Sequence, residues 1–243
     1  MKNLICNDDA KNVGIKLSGG ADSSIIYYAV AAYYAGRPDV NLYPMTLATT
    51  GKPGYIHFAK KVIEQVGKLT GKYPTEHFTK FIDDRAKGDD TLYVKGQQDL
   101  LAEVESKIDL DMLYQGLTAN PKHSDMLAFL DENKHKFNLD MDRVNYHLNK
   151  RDASRDIDNP DRQSKVLRET PGGTPQNDPF LDGDKIQVYD AYVELDLLED
   201  LYAITFSCEG QEPMEADADF DALTHCNNCF FCYERLYGFG RMI

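Results

Sequence analysis

Two hydrophobic periodicities alternate along the first half of the chain. Short apolar runs rich in valine, isoleucine and leucine predict strands, and longer segments with apolar residues every three or four positions predict helices. In chain order, the predicted elements are a strand at 13–17, a helix at 23–35, a strand at 41–48, a helix at 57–69, a strand at 75–82, a helix at 91–108 and a strand at 112–118. This alternation predicts an α/β fold, a doubly wound parallel sheet with helices on both faces.

Small residues follow two of these predicted strands. The sequence Ser18-Gly19-Gly20 comes directly after the first strand, and Gly116 falls near the end of the fourth. Ligands of a parallel sheet bind at the carboxyl ends of its strands. We therefore expect Gly116 to line a nucleotide pocket with the glycine-rich loop, although an ordinary exit from a strand into a loop fits Gly116 equally well.

The composition changes after residue 130. Residues 131–178 are polar, carry charges of both signs and contain three prolines and two glycines. Such a segment predicts an insertion, either an active-site lid or a disordered loop. The sequence thus divides into a nucleotide-binding core at 1–130, a polar insertion or lid at 131–178 and a C-terminal helical segment at 179–243.

Charges of opposite sign are interleaved within this insertion. They include Arg151, Asp152, Arg155, Asp156, Asp158, Asp161, Arg162 and Arg168. Most charges in such a run are solvated or paired with one another. A sharper interpretation is a lid that brings one arginine to the phosphates of a nucleotide or to a substrate carboxylate.

The charge balance limits the classes of partner. The 243 residues carry a formal net charge of −13, which argues against broad binding to nucleic acid because such binding needs a basic surface. No window approaches the ~18 apolar residues of a membrane span, and the first residues lack the apolar core of a signal peptide. The sequence predicts a soluble, cytoplasmic protein without membrane contact.

The loop after the first predicted strand has the features of an anion-binding site. Its glycines expose backbone N–H groups, and the following helix directs the positive end of its dipole at the same point. Its serines add hydroxyl donors, and its aspartate can hold Mg²⁺ or cap the helix. The predicted binding residues are Ser18, Gly19, Gly20, Asp22, Ser23 and Ser24. The alternative is a glycine-rich turn before a serine-capped helix.

The string Ser-Gly-Gly-x-Asp-Ser at 18–23 resembles the pyrophosphate loop of the N-type ATP pyrophosphatases, the PP-loop superfamily. No Walker sequence G-x-x-x-x-G-K-[ST] occurs in the chain. The resemblance implies a Rossmann-like nucleotide-binding fold with ATP and Mg²⁺ as cofactors. Those enzymes split ATP between its α and β phosphates, adenylate a substrate oxygen, and let a nitrogen or sulfur nucleophile displace AMP.

Four of the five cysteines form one C-terminal pattern. Cys208 is followed, after seventeen residues, by Cys226, Cys229 and Cys232 in two overlapping C-x-x-C units. Four soft ligands at this spacing are typical of a structural Zn²⁺ site, and the neighbouring His225 is an alternative ligand. An iron–sulfur cluster is the chemical rival. We therefore expect a zinc-bound C-terminal tail.

The same tail carries a second resemblance. Ser-Cys-Glu-Gly at 207–210, then C-x-x-C-x-x-C-x-x-Arg-Leu-x-Gly-Phe at 226–239, is similar to the tail of the 7-cyano-7-deazaguanine synthases, a PP-loop branch with a four-cysteine zinc site. The resemblance implies that a small-molecule carboxylate, 7-carboxy-7-deazaguanine, attacks the α phosphate of ATP. Ammonia then displaces AMP to give an amide, and a second ATP drives the amide to a nitrile. The family resemblance also implies a homodimer.

A further helix is predicted after residue 184. Its predicted buried face consists of Ile186, Tyr189, Tyr192 and Val193. A lysine at the start of a helix is unfavourable against the dipole unless it faces an anion. Lys185 falls on the lysine of a Pro-φ-x-x-x-x-Lys segment that binds phosphate in PP-loop synthases. The resemblance thus implies catalytic roles for Lys185, Asp22 and Ser23, while a solvated surface lysine is the alternative for Lys185.

Three recognition segments of these synthases are missing. This chain has Ala-Thr-Thr-Gly-Lys-Pro-Gly-Tyr at 48–55 in place of an Asp-Tyr-Gly-Gln-Arg-His-like segment. It lacks the Pro-Gly-Arg-Asn segment, and it has Asn-Pro-Lys-His-Ser-Asp at 120–125 in place of the base-recognition loop. Two alternatives therefore stay open. One is another PP-loop enzyme that amidates, thiolates tRNA or reduces a sulfonucleotide, and the other is a catalytically inactive, zinc-stabilised nucleotide-binding protein.

Overall fold

A computed structural model describes residues 1–83, 91–160, 165–210 and 218–240 of the chain. The strands are β1 (Asn12–Lys16), β2 (Asn41–Thr49), β3 (Phe78–Ile82), β4 (Met112–Gln115), β5 (Leu167–Glu169) and β6 (Pro175–Asn177). The helices are α1 (Ala21–Tyr33), α2 (Tyr55–Thr70), α3 (Thr91–Glu105), α4 (His123–Phe137), α5 (Met141–Lys150), α6 (Lys185–Glu194) and α7 (Phe230–Phe239). None of the helices in these ranges combines the length and apolar character needed to cross a bilayer.

The six described strands form one sheet in the order β3-β2-β1-β4-β6-β5. Every neighbouring pair is parallel except β5 and β6, which are antiparallel. The chain extends the sheet first from β1 through β2 to β3, and then on the other side of β1 through β4. A doubly wound sheet binds ligands at this switch point, outside the carboxyl ends of its strands. The predicted α/β class is therefore confirmed, and the antiparallel edge strand was not predicted.

Alternate residues of the central strands supply two cores. On one face, Val13 and Ile15 of β1 pack in a cluster with buried residues of α1, α2 and α6. On the opposite face, Met45 and Leu47 of β2 pack in a second cluster with Leu100 of α3. This division follows from the two-residue period of a strand, and both faces are covered, as is usual for parallel strands.

The described part of residues 131–178 is largely folded rather than a disordered loop, and a role as a lid stays a prediction. Helix α4 crosses residue 130, α5 follows it, and β6 lies inside the sheet next to β4. Helices α4, α5 and α7 together form a third core. Its buried residues are Met126, Leu130, Val144, Leu148, Tyr233 and Leu236. The pair of α4 and α5 is stabilised by the distant helix α7, which the local composition does not reveal.

Helix α6 buries a different face from the predicted one. Tyr192 is fully buried, but Ile186 and Val193 are 37% and 49% exposed. The buried residues of the helix are Lys185, Val188, Ala191 and Tyr192. The helix is therefore rotated so that its first residue, a lysine, points inward.

Candidate functional site

The glycine-rich loop lies between β1 and α1, at the switch point of the sheet. Gly20 is the N-cap residue of α1 and places no side chain over the first turn of the helix. The Oγ atoms of Ser18 and Ser23 lie 3.2 Å apart, and the backbone N–H of Ser18 donates to Ser23 Oγ at 3.2 Å. The loop thus combines hydroxyl groups with the positive end of a helix dipole, as an anion site requires.

Gly116 allows β4 to approach this loop closely. A Cβ atom on Gly116 would lie 2.7 Å from the backbone nitrogen of Ser23, in the first turn of α1. Any side chain at this position would therefore displace the helix start. The two small-residue strand ends that the sequence singles out meet at one point.

A cavity of about 280 Å³ opens beside the loop. This volume is close to the lower limit of the roughly 300–1,000 Å³ that small-molecule sites occupy. Ser18, Gly20, Asp22, Ser23 and Gly116 all line it. The loop is therefore turned toward a cavity rather than blocked.

Two predicted binding residues shape the loop from outside the cavity lining. Gly19 has a φ of +78°, and a Cβ there would lie 2.7 Å from backbone atoms of Phe58 and Ala59 in α2. Ser24 Oγ donates to the carbonyl oxygen of Gly20 at 2.8 Å. Neither Gly19 nor Ser24 lines the cavity. Both residues shape the loop, and their contact with a nucleotide stays a prediction.

Lys185 lies against the loop from the far end of the chain. It is the first residue of α6, is 6% exposed and lines the cavity. Its Nζ atom pairs with Asp22 Oδ2 and lies 3.5 Å from Glu234 Oε2. Burial alone would lower the pKa of Lys185, but the charges of the two carboxylates outweigh burial and raise it. The structure thus brings two predicted catalytic residues together and keeps the lysine protonated.

Glu234 of α7 is a site residue that the sequence analysis missed. It is 2% exposed, and burial raises its pKa against the attraction of Lys185 and Arg155. Two carboxylate oxygens here, Oδ1 of Asp22 and Oε1 of Glu234, are buried and have no hydrogen-bond partner among the described residues. Buried polar atoms are nearly always paired, so these oxygens indicate room for a cation or a donor. The available signal was the charged pair Glu234-Arg235 within a tail helix whose other residues are aromatic or apolar or small.

Arg155 brings the segment at 131–178 to the cavity. It ends a short 3₁₀ turn at Ala153–Arg155 and lines the cavity. Its guanidinium donates to the carbonyl oxygen of Thr118, with Nε at 3.2 Å. An arginine from this segment therefore faces the space where phosphates are expected, held by a folded element.

The other interleaved charges are mostly paired. Arg151 forms a two-point contact with Asp156, with Nε 3.0 Å from Oδ1. Arg168 Nε lies 3.0 Å from Oδ2 of Asp178, whose side chain is fully buried. The predicted charges at positions 161 and 162 (Asp161 and Arg162 in the sequence) lie outside the described residues.

The segment before Cys208 connects the C-terminal cysteines to the loop. The backbone N–H of Phe206 donates to the carbonyl oxygen of Gly19 at 2.9 Å. Ser207 Oγ accepts from the backbone N–H of Ala21 at 3.4 Å and from Arg235 at 3.3 Å. One short stretch of chain therefore contacts both the start of α1 and the helix that follows the cysteine pattern.

The four C-terminal cysteines converge as predicted by their spacing. The Sγ atoms of Cys208, Cys226, Cys229 and Cys232 all lie within 4.8 Å of one another. The Sγ–Sγ distances are 3.5 Å for Cys229 to Cys232 and 3.9 Å for Cys226 to Cys232. Four sulfurs arranged tetrahedrally at the usual zinc–sulfur distance of about 2.3 Å are about 3.8 Å apart. The group can therefore hold one metal ion.

The spacing also bears on the kind of metal. Hydrogen bonds from the other three thiols lower the pKa of Cys208, while the same contacts raise the pKa of Cys232. Four thiolates this close repel one another unless a cation joins them. A four-iron cubane binds each thiolate to a different iron and needs a wider spacing, whereas a single Zn²⁺ fits. His225 is not part of the group, and its Nε2 accepts from the backbone N–H of Ser207 at 3.4 Å.

Cys6 is the remaining cysteine. It is partly buried, and it is not among the residues that line the cavity. Burial raises the pKa of its thiol, although a hydrogen bond with Tyr114 opposes the rise. A raised pKa makes this thiol a weak nucleophile at neutral pH.

No protein-family model matches the chain, and no curated protein matches it. Among solved structures, the chain is similar to that of the U34-tRNA thiolase NcsA from Methanococcus maripaludis with its [4Fe-4S] cluster. The sequence identity is 17% and the TM-score is 0.41. The similarity covers 76% of this chain and 56% of that chain, so this chain spans just over half of its length.

Proposed function

We propose that this protein is an ATP-dependent adenylating ligase of the PP-loop type. The observation that carries the proposal is the convergence of an open loop at the start of α1 with Lys185 and Arg155 at one cavity. Two cations, the hydroxyl groups of Ser18 and Ser23 and a helix dipole at the switch point suit a triphosphate. The match of residues 18–23 to the pyrophosphate loop supports the same assignment.

In this proposal the side chains hold the reactants and stabilise charge. A carboxylate oxygen of the acid attacks the α phosphorus of ATP, the bond from that phosphorus to the bridging oxygen breaks, and diphosphate leaves with the electron pair. Ser18, Gly20 and Ser23 bind the departing diphosphate, and Lys185 and Arg155 neutralise charge on its oxygens. Asp22 would hold the Mg²⁺ that accompanies ATP, and its unpartnered Oδ1 fits that role.

The finer proposal concerns the acid and the nucleophile. The tail motif supports 7-carboxy-7-deazaguanine and ammonia as substrates, with an acyl adenylate, an amide and finally the nitrile as products. The four-cysteine group supports a structural Zn²⁺ that fixes the tail. The altered segments at 48–55 and 120–125 leave other acids, and an amide as the final product, within the proposal.

Sulfur transfer is the weaker enzymatic candidate. Such chemistry needs a reactive thiol or a reactive cluster at the nucleotide site. Among the described residues that line the cavity there is no cysteine, and the four C-terminal thiols are spaced for one ion. Amide formation needs neither feature and therefore suits this cavity better.

The test is diphosphate release from ATP and Mg²⁺ with 7-carboxy-7-deazaguanine and ammonium. Ser23→Ala and Asp22→Asn should lower the rate by about 100-fold or more, since each removes a group that acts on the leaving diphosphate. Ser106→Ala is the matched control, because Ser106 lies exposed just after α3 and does not line the cavity. ATP binding without diphosphate release, for this acid and for a panel of carboxylates, would favour the non-catalytic binding protein instead.

A further inference from the structure

The cavity extends from the loop onto the face of the sheet that α3 covers. Lys16, the last residue of β1, lies opposite Met45 of β2 and opposite Gln115 of β4, so these side chains share that face. Met45, Leu47, Leu100 and Leu101 form apolar walls around Lys16 in the cavity lining. We call this part of the cavity, defined by Lys16 and these four apolar residues, the α3-side compartment.

The ammonium group of Lys16 has a neutral partner. Its Nζ donates to Gln115 Oε1 at 3.0 Å, and among the described residues no carboxylate oxygen lies within the 4.0 Å of an ion pair. Other lysines of the cavity differ, since Lys185 pairs with Asp22, and Lys52 lies 3.2 Å from Glu209.

Asp178 and Glu105 are the carboxylates whose charges act on Lys16, and each accepts hydrogen bonds from other groups. Asp178 accepts from Arg168 at 3.0 Å and from Gln176 at 2.9 Å. Glu105, the other one, accepts at 2.9 and 2.7 Å from the hydroxyls of two threonines of the β5–β6 hairpin. Neither carboxylate is within ion-pair distance of Lys16, so the cation is left facing the cavity.

Burial destabilises the charged form of Lys16. It lowers the pKa of Lys16, and the neighbouring carboxylates only partly oppose that effect. A half-buried ammonium with a neutral partner gains when an anion enters beside it. The charge of Lys16 and the four apolar side chains around it together favour a ligand with one acidic end and one apolar body.

We propose that the α3-side compartment binds the acid substrate, with Lys16 paired to the carboxylate that becomes adenylated and the four apolar side chains packed on its body. This inference rests on the proposed adenylating function and specifies its substrate class as a small monocarboxylic acid with an apolar body. Only Leu17 separates Lys16 from the diphosphate-binding loop, so an acid held there lies next to the α phosphate of ATP. The ammonium orients the carboxylate and takes no proton in the step.

The other ligand able to enter this compartment is the adenine base of ATP. A neutral heterocycle would gain little from Lys16, whereas a carboxylate gains a charge-assisted hydrogen bond. The two occupants therefore differ in their dependence on the lysine charge, and this difference can be measured without catalysis.

Indole-3-carboxylate is a suitable probe, because the chain contains no tryptophan and indole fluorescence will report the probe alone. Its anisotropy should rise when wild-type protein is added in the absence of ATP. Lys16→Met keeps the unbranched stem of the side chain and removes its charge, while Gln115 still accepts from Gln176 at 3.1 Å. This variant should bind the probe about tenfold more weakly or worse. Lys11→Met, at an exposed lysine before β1, is the matched control and should bind normally.

Three outcomes would overturn the inference: no binding by the wild-type protein, equal binding by Lys16→Met, or displacement of the probe by adenosine. Indole-3-carboxamide adds a further arm, since this neutral analogue should bind the wild-type protein and Lys16→Met equally. Circular dichroism and the melting temperature of Lys16→Met show whether it is folded. Because the assay contains no ATP, its failure is distinct from a failure of diphosphate release, which tests the adenylating function itself.

Discussion

The buried ion cluster of Asp22, Lys185 and Glu234 permits a quantitative test of how this site is held together. Lys185→Met keeps the apolar stem and removes the charge, so that two buried carboxylates lose their shared cation. Glu234→Gln keeps the side-chain shape and removes one of the two negative charges. If the cluster is coupled, the effect of each substitution depends on whether the other is present.

The structure gives the expected magnitudes. Lys185 Nζ and Glu234 Oε2 are 3.5 Å apart, and at an effective dielectric constant of about 20 their attraction is about 5 kcal/mol before desolvation. Removal of one partner from a buried pair costs about 3–5 kcal/mol, so Lys185→Met should lower the free energy of unfolding by that amount. Glu234→Gln should cost about 1–2 kcal/mol, because Lys185 keeps Asp22 and a buried charge is removed. The coupling energy should be about 2 kcal/mol.

The assay is urea unfolding of the four proteins at pH 7 and constant Zn²⁺ concentration. Lys68→Met is the control, because Lys68 and Glu64 form an exposed pair at 3.1 Å and its loss should change little. Burial already raises the pKa of Glu234, so its protonation should relieve the lysine variant. The stability deficit of Lys185→Met should therefore shrink as the pH falls from 7 toward 4.5. Additive losses in the double variant, or a deficit independent of pH, would refute the reasoning.

Two further predictions concern the metal group and a buried histidine. Metal analysis should find about one zinc per chain on Cys208, Cys226, Cys229 and Cys232, and a brown, iron-containing protein would contradict the single-ion assignment. Burial lowers the pKa of His77 to about 4, while its Nε2 lies 2.8 Å from Thr46 Oγ1. The unfolded chain therefore binds a proton near pH 6.5 that the folded chain does not, and stability should fall by about 3 kcal/mol from pH 7 to pH 4. His77→Gln should reduce this decline in urea unfolding, and an unchanged decline would contradict the assignment.

The parts of the fold that the sequence predicts are those set by local chemistry. Strands β1 to β4 and the helices between them are predicted by the two-residue and 3.6-residue hydrophobic periods. The observed ends of these elements differ from the predicted ends by a few residues. The loop at 18–20 is predictable because a Ser-Gly-Gly string directly after an apolar run marks the end of a strand. The convergence of Cys226, Cys229 and Cys232 follows from the reach of two short C-x-x-C turns, whereas that of Cys208 depends on a chain reversal between residues 208 and 226.

The parts that the sequence does not predict depend on distant packing. Helix α5 buries only Val144 and Leu148, and the charged residues around them give its segment the composition of a loop. Its apolar face is covered by α7, nearly ninety residues later in the chain. The rotation of α6 that buries Lys185 likewise depends on Glu234, which is supplied by α7. A local hydrophobic pattern does not reveal an ion pair between two helices that are distant in sequence.

The hydrogen bond from Phe206 to Gly19 and the contacts of Ser207 with Ala21 and Arg235 join the segment before Cys208 to the glycine-rich loop. If metal occupancy tightens nucleotide binding by some factor through these contacts, bound nucleotide must raise the metal affinity by the same factor. Competition with a chelator, run with and without ATP, would measure whether the nucleotide changes the affinity of the cysteine group for its metal.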